Sequence, residues 1–340
     1  MEEKIYTTKE FAEAIGISKN HLLKLEKEGK VPPAKRKEKG KISHRYYTVA
    51  DINEYRKILK MPPILKEKRV QLFLNFKGGT GKTTLSTNYA YALAELGVQV
   101  LAIDLDAQRH MTKCLAPQQT DESPPSIYEV LIEDKDINEV ITSTKLPTLD
   151  IIQGSIKLTI VDDRLHNKEM KEFLLKSALK RINCKEYQII VIDSLPNMNA
   201  LNKNAILAAN DLLIPVLPDF YSIAGLKFLF DQLLIMKNNY LLYFSEKVVD
   251  DIYIFINQHR KNEILSKKSR IVLEKNYSEY LCETIIPYSS KIAQSTAAEM
   301  PIFQFYRNSI GAKKIKELVD EILELNQKNS KKGKKRVNSG

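Results

Sequence analysis

The sequence predicts an α/β protein, a doubly wound and mostly parallel sheet, preceded by a small winged helix-turn-helix module. Three observations carry that prediction. From Val70 an apolar stretch, a glycine-rich loop and a helical pattern follow one another. Two later apolar stretches, 98–103 and 187–192, each run into an aspartate, as strands of a parallel sheet do at their carboxyl ends. Ahead of these, the first sixty residues hold two short helical patterns and a basic hairpin pattern.

The composition sets the outer bounds. The chain has 340 residues, 43% apolar and 28% charged, which excludes wholesale disorder, a disulfide miniprotein and a collagen-like rod. That length suits one large domain and a small one. Met1-Glu2-Glu3-Lys4 leads directly into polar helix-forming sequence, so no secretory signal is expected. The most apolar window, 212–236, is broken by Pro215, Pro218, Asp219, Lys227 and Asp231 and is not expected to span a bilayer. Cys114, Cys184 and Cys282 are far apart, form no CxxC pair and read as reduced thiols of a cytosolic protein. The five histidines show no metal-ligand spacing.

The formal charge of +11 is unevenly placed. Residues 1–69 hold 18 lysines and arginines against 10 acids, residues 70–312 hold 26 against 28, and residues 313–340 hold 9 against 4. A near-neutral centre with basic ends points to a polyanionic partner, although solubility alone would also explain it.

In the N-terminal module, Thr7-Thr8-Lys9-Glu10 has the form of a capping box, and Phe11, Ala14 and Ile15 follow at helical spacing up to Gly16. Ser18 can cap a second helix through Leu22, Leu23 and Leu25, which Gly29 stops. Two short helices joined at Gly16-Ile17 make a helix-turn-helix whose second member presents Lys19, Asn20, His21, Lys24 and Lys27. Then come Pro32-Pro33, a basic run with Lys35, Arg36, Lys37, Lys39 and Lys41, a turn at Gly40, and the strand Arg45-Tyr46-Tyr47. This hairpin reads as a wing that grips phosphates. A third helix starts at Thr48-Val49-Ala50-Asp51. The expected domains are 1–60, a linker over 61–69, a core over 70–327, and a basic, disordered tail over 328–340.

The central motif is Lys77-Gly78-Gly79-Thr80-Gly81-Lys82-Thr83-Thr84. Its glycines let the backbone wrap tightly and turn N–H groups toward phosphate oxygens, and the following helix adds its positive end. Lys82 is placed to reach the β- and γ-phosphates and the Thr83 hydroxyl to meet Mg²⁺. Downstream, Asp104-Leu105-Asp106-Ala107-Gln108 and Asp193 supply three carboxylates at strand ends. Asp193 is the expected carboxylate near Mg²⁺.

The first sixty residues resemble the winged DNA-binding domain of the MerR family. The similar residues are Tyr6-Thr7, Gly16-Ile17-Ser18, Glu26-Lys27-Glu28-Gly29, Pro32-Pro33 and Arg45-Tyr46-Tyr47-Thr48. Residues 70–325 resemble the P-loop ATPases of the ParA/MinD family with a deviant Walker A motif, and the ParA branch most closely. That similarity rests on Lys77 to Thr84, Asp104 to Gln108, Val191-Ile192-Asp193-Ser194-Leu195-Pro196, Asn210 to Val216, Ala224-Gly225-Leu226 and Ile285-Ile286-Pro287.

The resemblance implies an ATP- and Mg²⁺-dependent homodimer in which Lys77 crosses to the partner's nucleotide. It implies that Asp106 orients the attacking water, that Asp104 and Asp193 hold Mg²⁺, and that Asn257 and the backbone near Pro287 flank adenine. It further implies a cytoplasmic, nucleoid-associated ATPase of plasmid or chromosome segregation. ATP-driven dimerisation would switch on non-specific DNA binding, and hydrolysis stimulated by a centromere-binding ParB-type partner would release it. The N-terminal module would bind operator DNA through Lys19, Asn20, Lys24, Lys27, Arg36, Lys37 and Arg45. An ATP-gated transcription regulator and a MinD-like positioning ATPase stay open as alternatives. The chain departs from the family where Ala107-Gln108-Arg109-His110 replaces Pro-Gln-Gly-Asn, and where Asp193-Ser194-Leu195-Pro196 replaces Asp-Thr-Pro-Pro.

Two further segments carry expectations. Residues 259–275 read as a helix bearing Arg260, Lys261, Lys267, Lys268, Arg270 and Lys275. It is either a second DNA-binding face or a solvated surface. Ile315, Leu318, Val319, Ile322 and Leu323 form a helical apolar stripe. Glu317, Asp320, Glu321 and Glu324 opposite would be repelled by an anionic membrane, so a docked terminal helix and no membrane contact are expected.

Overall fold

The structure is a computed structural model and describes residues 4–39, 42–116, 123–244 and 248–337. Thr7 accepts from the Glu10 amide while the Glu10 carboxylate accepts from the Thr7 amide at 2.8 Å, which opens α1 (Thr8–Ala14). Ser18 caps α2 (Lys19–Lys27). The wing strands β1 (Lys35–Lys39) and β2 (Ile42–Tyr46) pair antiparallel, and Thr48 with Asp51 opens α3 (Val49–Ile58). Gly40 and Lys41, expected at the wing's turn, lie outside the described residues. Phe11 stacks on Tyr47 at 4.1 Å between ring centroids and meets Tyr55 edge-on, forming the centre of the module.

The main sheet follows. Its strands are β3 (Arg69–Phe73), β4 (Val100–Asp104), β5 (Thr142–Ser143), β6 (Leu149–Ile152), β7 (Ile189–Asp193), β8 (Asp211–Val216) and β9 (Asp251–Ile256). They lie in the order β5-β6-β4-β7-β3-β8-β9, all parallel except β5. Alternate side chains feed two cores, as the two-residue period of a strand requires. Val100 and Ala102 face α4 (Lys82–Glu95), while Leu101 and Ile103 face the opposite layer. Short α5 (His110–Leu115) follows β4. The opposite layer holds α6 (Ile127–Ile132), α7 (Val161–Leu165), α8 (Leu174–Lys180), α9 (Ala200–Ala208), α10 (Phe220–Phe244) and α11 (Ile264–Tyr277). The chain ends in α12 (Ser290–Ala297), α13 (Ile302–Phe305) and α14 (Ile310–Val337). The stripe from Ile315 to Leu323 is buried in the same core as α4, so α14 is a docked helix. Among the described residues, no helix is long and apolar enough to cross a membrane.

Three expectations change. The segment placed as a linker does not hold the two modules apart: Leu65 is buried, the Gln327 amide donates to the Ile64 carbonyl, and Arg69 begins β3 with its guanidinium on Asp211 and Asp251. One apolar core runs from Phe11 and Ile52 into α4 and α14. Gly97, at φ +83°, lets α3 come close, since a Cβ there would lie 2.5 Å from Cγ2 of Ile52. Below it, the buried Glu95 carboxylate accepts from Arg307 at 2.8 and 2.5 Å, with Lys4 at 3.6 Å, and the Glu95 carbonyl accepts from the Tyr6 hydroxyl. Second, the helix expected from His259 starts at Ile264, because His259 is held in a bridge with Pro287. Third, the tail expected to be disordered from Lys328 continues α14 as far as Val337.

Glu95→Ala leaves Arg307 and Lys4 without their common acceptor, while the main-chain carbonyl that accepts from Tyr6 stays. A loss of about 3 kcal/mol is expected from breaking such a buried pair, read as a lower denaturation midpoint in urea; an unchanged midpoint contradicts the Glu95 anchor.

Candidate nucleotide site

The phosphate loop leaves β3 and is fastened at both sides. The Asn75 amide donates to the Pro215 carbonyl at 2.8 Å, and its oxygen accepts from the Lys77 amide at 2.9 Å. From behind, the buried Asn257 donates to the Thr80 carbonyl at 2.8 Å. Gly81 has φ +87°, and a Cβ on it would sit 2.5 Å from the Asn257 amide nitrogen. Glycine is therefore required there by conformation and by space. Helix α4 starts at Lys82, so its unpaired N-terminal amides face the loop's concavity. The Lys82 ammonium lies 3.3 Å from the Lys77 carbonyl. Burial lowers its pKa, and Asp193 and Asp106 act against that shift.

Parallel pairing places Asp104 and Asp193 side by side at the ends of β4 and β7. Both carboxylates are fully buried. Burial pushes Asp104 up to about 6, against hydrogen bonds from Thr112 and the Asp106 amide. It pushes Asp193 up to about 7, with Asp104 adding repulsion and Thr83 and Ser86 opposing it. Ser86 donates to one Asp193 oxygen at 2.9 Å, while the other, Oδ2, is buried without a partner. Two desolvated carboxylates, one with an unmet oxygen, beside the Thr83 hydroxyl suit a hard divalent cation. Among the described residues no three His, Cys, Asp or Glu side chains close around a metal, so phosphate oxygens and water would complete the shell.

Asp106 is half-buried, and its side chain accepts from the Gln108 amide at 2.8 Å. Gly154, which the sequence reading passed over, lies against it: a Cβ there would be 2.5 Å from the Asp106 carbonyl and 3.1 Å from the Asp104 carboxylate. Its position just past β6, at the ligand-binding ends of the strands, was the available signal. Lys77 holds a second surprise. Its ammonium sits 2.8 Å from each Asp219 oxygen and 3.0 Å from the Ser222 hydroxyl, at the start of α10. Burial would raise the Asp219 pKa, but Lys77 and the Ser222 amide and hydroxyl outweigh it and hold the carboxyl below its ordinary value. The sequence marked Asp219 only as an interruption of an apolar window.

The structure thus brings Lys77–Thr84, Asp104, Asp106, Asp193 and Asn257 to one end of the sheet. Pro287 is bridged to His259 just beyond β9. The expected DNA contacts form two other groups. Lys19, Asn20, Lys24, Lys27, Arg36 and Lys37 are exposed on α2 and the wing, and Lys267, Lys268 and Arg270 are exposed on α11. Arg270 pairs with Glu274 at 2.6 Å. The Arg45 guanidinium pairs with Glu26, a carboxylate 4% exposed that also accepts from Tyr47 at 2.6 Å, and so braces the wing against α2.

Gly81→Ala should weaken nucleotide binding at least about tenfold, since strain and the Asn257 contact both oppose the side chain. Titration with a fluorescent nucleotide checks this, and parent-like affinity would contradict the loop geometry.

Comparison with known proteins places this arrangement. Residues 68–244 match the family described as an AAA domain, and residues 6–61 match the MerR HTH family of regulatory proteins. The chain is 38% identical over 323 residues to the cell division protein PomZ of Myxococcus xanthus, covering 95% of this chain and 94% of that one. It is 27% identical over 251 residues to the sporulation initiation inhibitor protein Soj of Bacillus subtilis, covering 73% and 95%. A solved partition protein superposes with a TM-score of 0.73 at 17% identity over 97% of this chain and 93% of its own, a likeness of fold that spans both modules. With its phosphate loop, paired strand-end carboxylates and N-terminal helix-turn-helix, the chain belongs to the ParA/MinD family of partition and positioning ATPases.

Proposed function

We propose that the protein uses ATP and Mg²⁺ to switch its hold on DNA, as a dimer that assembles on ATP and separates after hydrolysis. One observation carries this reading. A phosphate loop with a second lysine, Lys77, lies beside three strand-end carboxylates in a chain that also exposes two cationic faces, on α2 with the wing and on α11. Backbone amides of Gly78 to Thr80 and the start of α4 cradle the phosphates, with Lys82 on the β- and γ-oxygens. Thr83, Asp104 and Asp193 hold Mg²⁺, which neutralises charge on the phosphates. Asp106 orients the attacking water. Lys77 exchanges Asp219 for the partner's nucleotide as the dimer closes, and Asn257 and the Pro287 backbone border the base. The α11 cations Lys267, Lys268 and Arg270 take phosphates of any sequence, while α2 and the wing read an operator. A centromere-binding ParB-type protein stimulates hydrolysis, and the protein works in the cytoplasm on the nucleoid.

A second reading of the cargo is favoured by one observation. The 38% identity to a cell division protein extends over 95% of the chain, helix-turn-helix included. The same DNA-borne cycle would then position division machinery rather than a replicon.

Lys82→Ala is expected to abolish nucleotide binding, and Asp106→Ala to retain binding but accumulate a dimer in ATP, seen by light scattering. An Asp106→Ala protein that hydrolyses ATP at the parent rate contradicts the assigned role. Affinity for random-sequence duplex should fall steeply between low and physiological salt, because it rests on lysine and arginine contacts to phosphate; a flat salt response contradicts the electrostatic account.

A further inference from the structure

The turn after Asp106 holds an arginine where the backbone favours glycine. Arg109 precedes α5 with φ 62° and ψ 27°, in the left-handed region. Its amide donates to the Asp106 main-chain carbonyl at 3.1 Å, which closes a tight turn just past the strand-end Asp104. Its side-chain Nε is buried and has no hydrogen-bond partner. Among the described residues the Arg109 guanidinium enters no ion pair, whereas Lys77 is engaged by Asp219 and Ser222, and Lys82 by the Lys77 carbonyl. A strained backbone and an unmet buried donor coincide on one residue, and glycine would relieve both. Such a pair of costs persists where the surroundings hold the residue in place for a ligand. A phosphate group, rich in acceptors, is the chemistry that satisfies a guanidinium edge.

We propose that Arg109 is a further catalytic residue, donating to the terminal phosphoryl oxygens of a nucleoside triphosphate held in the phosphate loop of the same chain. The inference rests on the nucleotide reading above. In the reaction, a water oxygen bonds to the γ-phosphorus as the bond from that phosphorus to the β–γ bridging oxygen breaks. The electron pair of the broken bond stays on ADP, and the protons of the water pass to inorganic phosphate and solvent. Arg109 steadies the charge on the transferring phosphoryl oxygens, the task for which an arginine is suited in this chemistry. It also separates triphosphate from diphosphate, since ADP has no γ-oxygens to accept from it.

The test uses the full chain and the variants Arg109→Gly and Arg109→Lys, with three readouts: nucleotide-free Tm, relative affinity for fluorescent ATP and ADP, and kcat. Arg109→Gly should keep or raise the Tm, lose about tenfold of the preference for ATP over ADP, and lose about 100-fold in kcat. Arg109→Lys should keep part of the ATP preference through its charge. A glycine variant with parent-like kcat and parent-like ATP preference overturns the proposal, as does one that loses Tm and binds both nucleotides equally poorly. If the parent protein itself binds no nucleotide, the underlying reading of the site fails instead, which the Lys82→Ala comparison makes visible.

Discussion

Helix α4 is the constraint on which the other parts depend. Its first residue, Lys82, closes the phosphate loop, and its last, Glu95, receives Arg307 from the C-terminal region and neighbours Tyr6 and Lys4 of the N-terminal module. At about 1.5 Å per residue its fourteen residues span roughly 21 Å. Nearly every side chain between is buried, so the helix cannot shift at one end without disturbing the packing at the other. The nucleotide end and the helix-turn-helix are therefore parts of one packed body. That arrangement fixes where α2, the second helix of the helix-turn-helix, points relative to the phosphate loop.

The site itself rests on a desolvated charge arrangement. Parallel pairing of β4 and β7 forces Asp104 and Asp193 together in a buried place where burial raises both pKa values, and one Asp193 oxygen has no hydrogen-bond partner. Around this centre, cations are committed unevenly. Lys77 is clasped by Asp219, Lys82 leans on the loop's own backbone, and Arg109 has no anionic partner among the described residues. The same physical theme recurs in the winged module. There Glu26 gathers Arg45, Tyr47 and Tyr55 and braces the wing against α2.

What the sequence made legible was what local chemistry decides. Thr7 with Glu10, Ser18, and Thr48 with Asp51 start helices because their partners lie within three residues, and they appear where expected. The glycine loop and the strand-end aspartates were equally readable, because backbone shape and strand period dictate them. Features set by distant partners were not. Nothing near Arg45 in the chain announces Glu26, nothing near Lys77 announces Asp219, and the close approach of Ile52 to Gly97 depends on how two modules pack. The helix boundary moved from His259 to Ile264 for the same reason, a bridge to Pro287 from another part of the chain. Gly154 shows a third case. Its place past a strand was visible, but only the fold reveals that it must clear the Asp106 carbonyl.

The central claim is that nucleotide state governs the hold on DNA. Fluorescence anisotropy of a random-sequence duplex, titrated with the full chain in ATP, in ADP and without nucleotide, tests it most directly. Binding with ATP alone is the predicted result. Equal binding in all three conditions would contradict it, leaving the cationic faces as constitutive anchors and the phosphate loop without control over them.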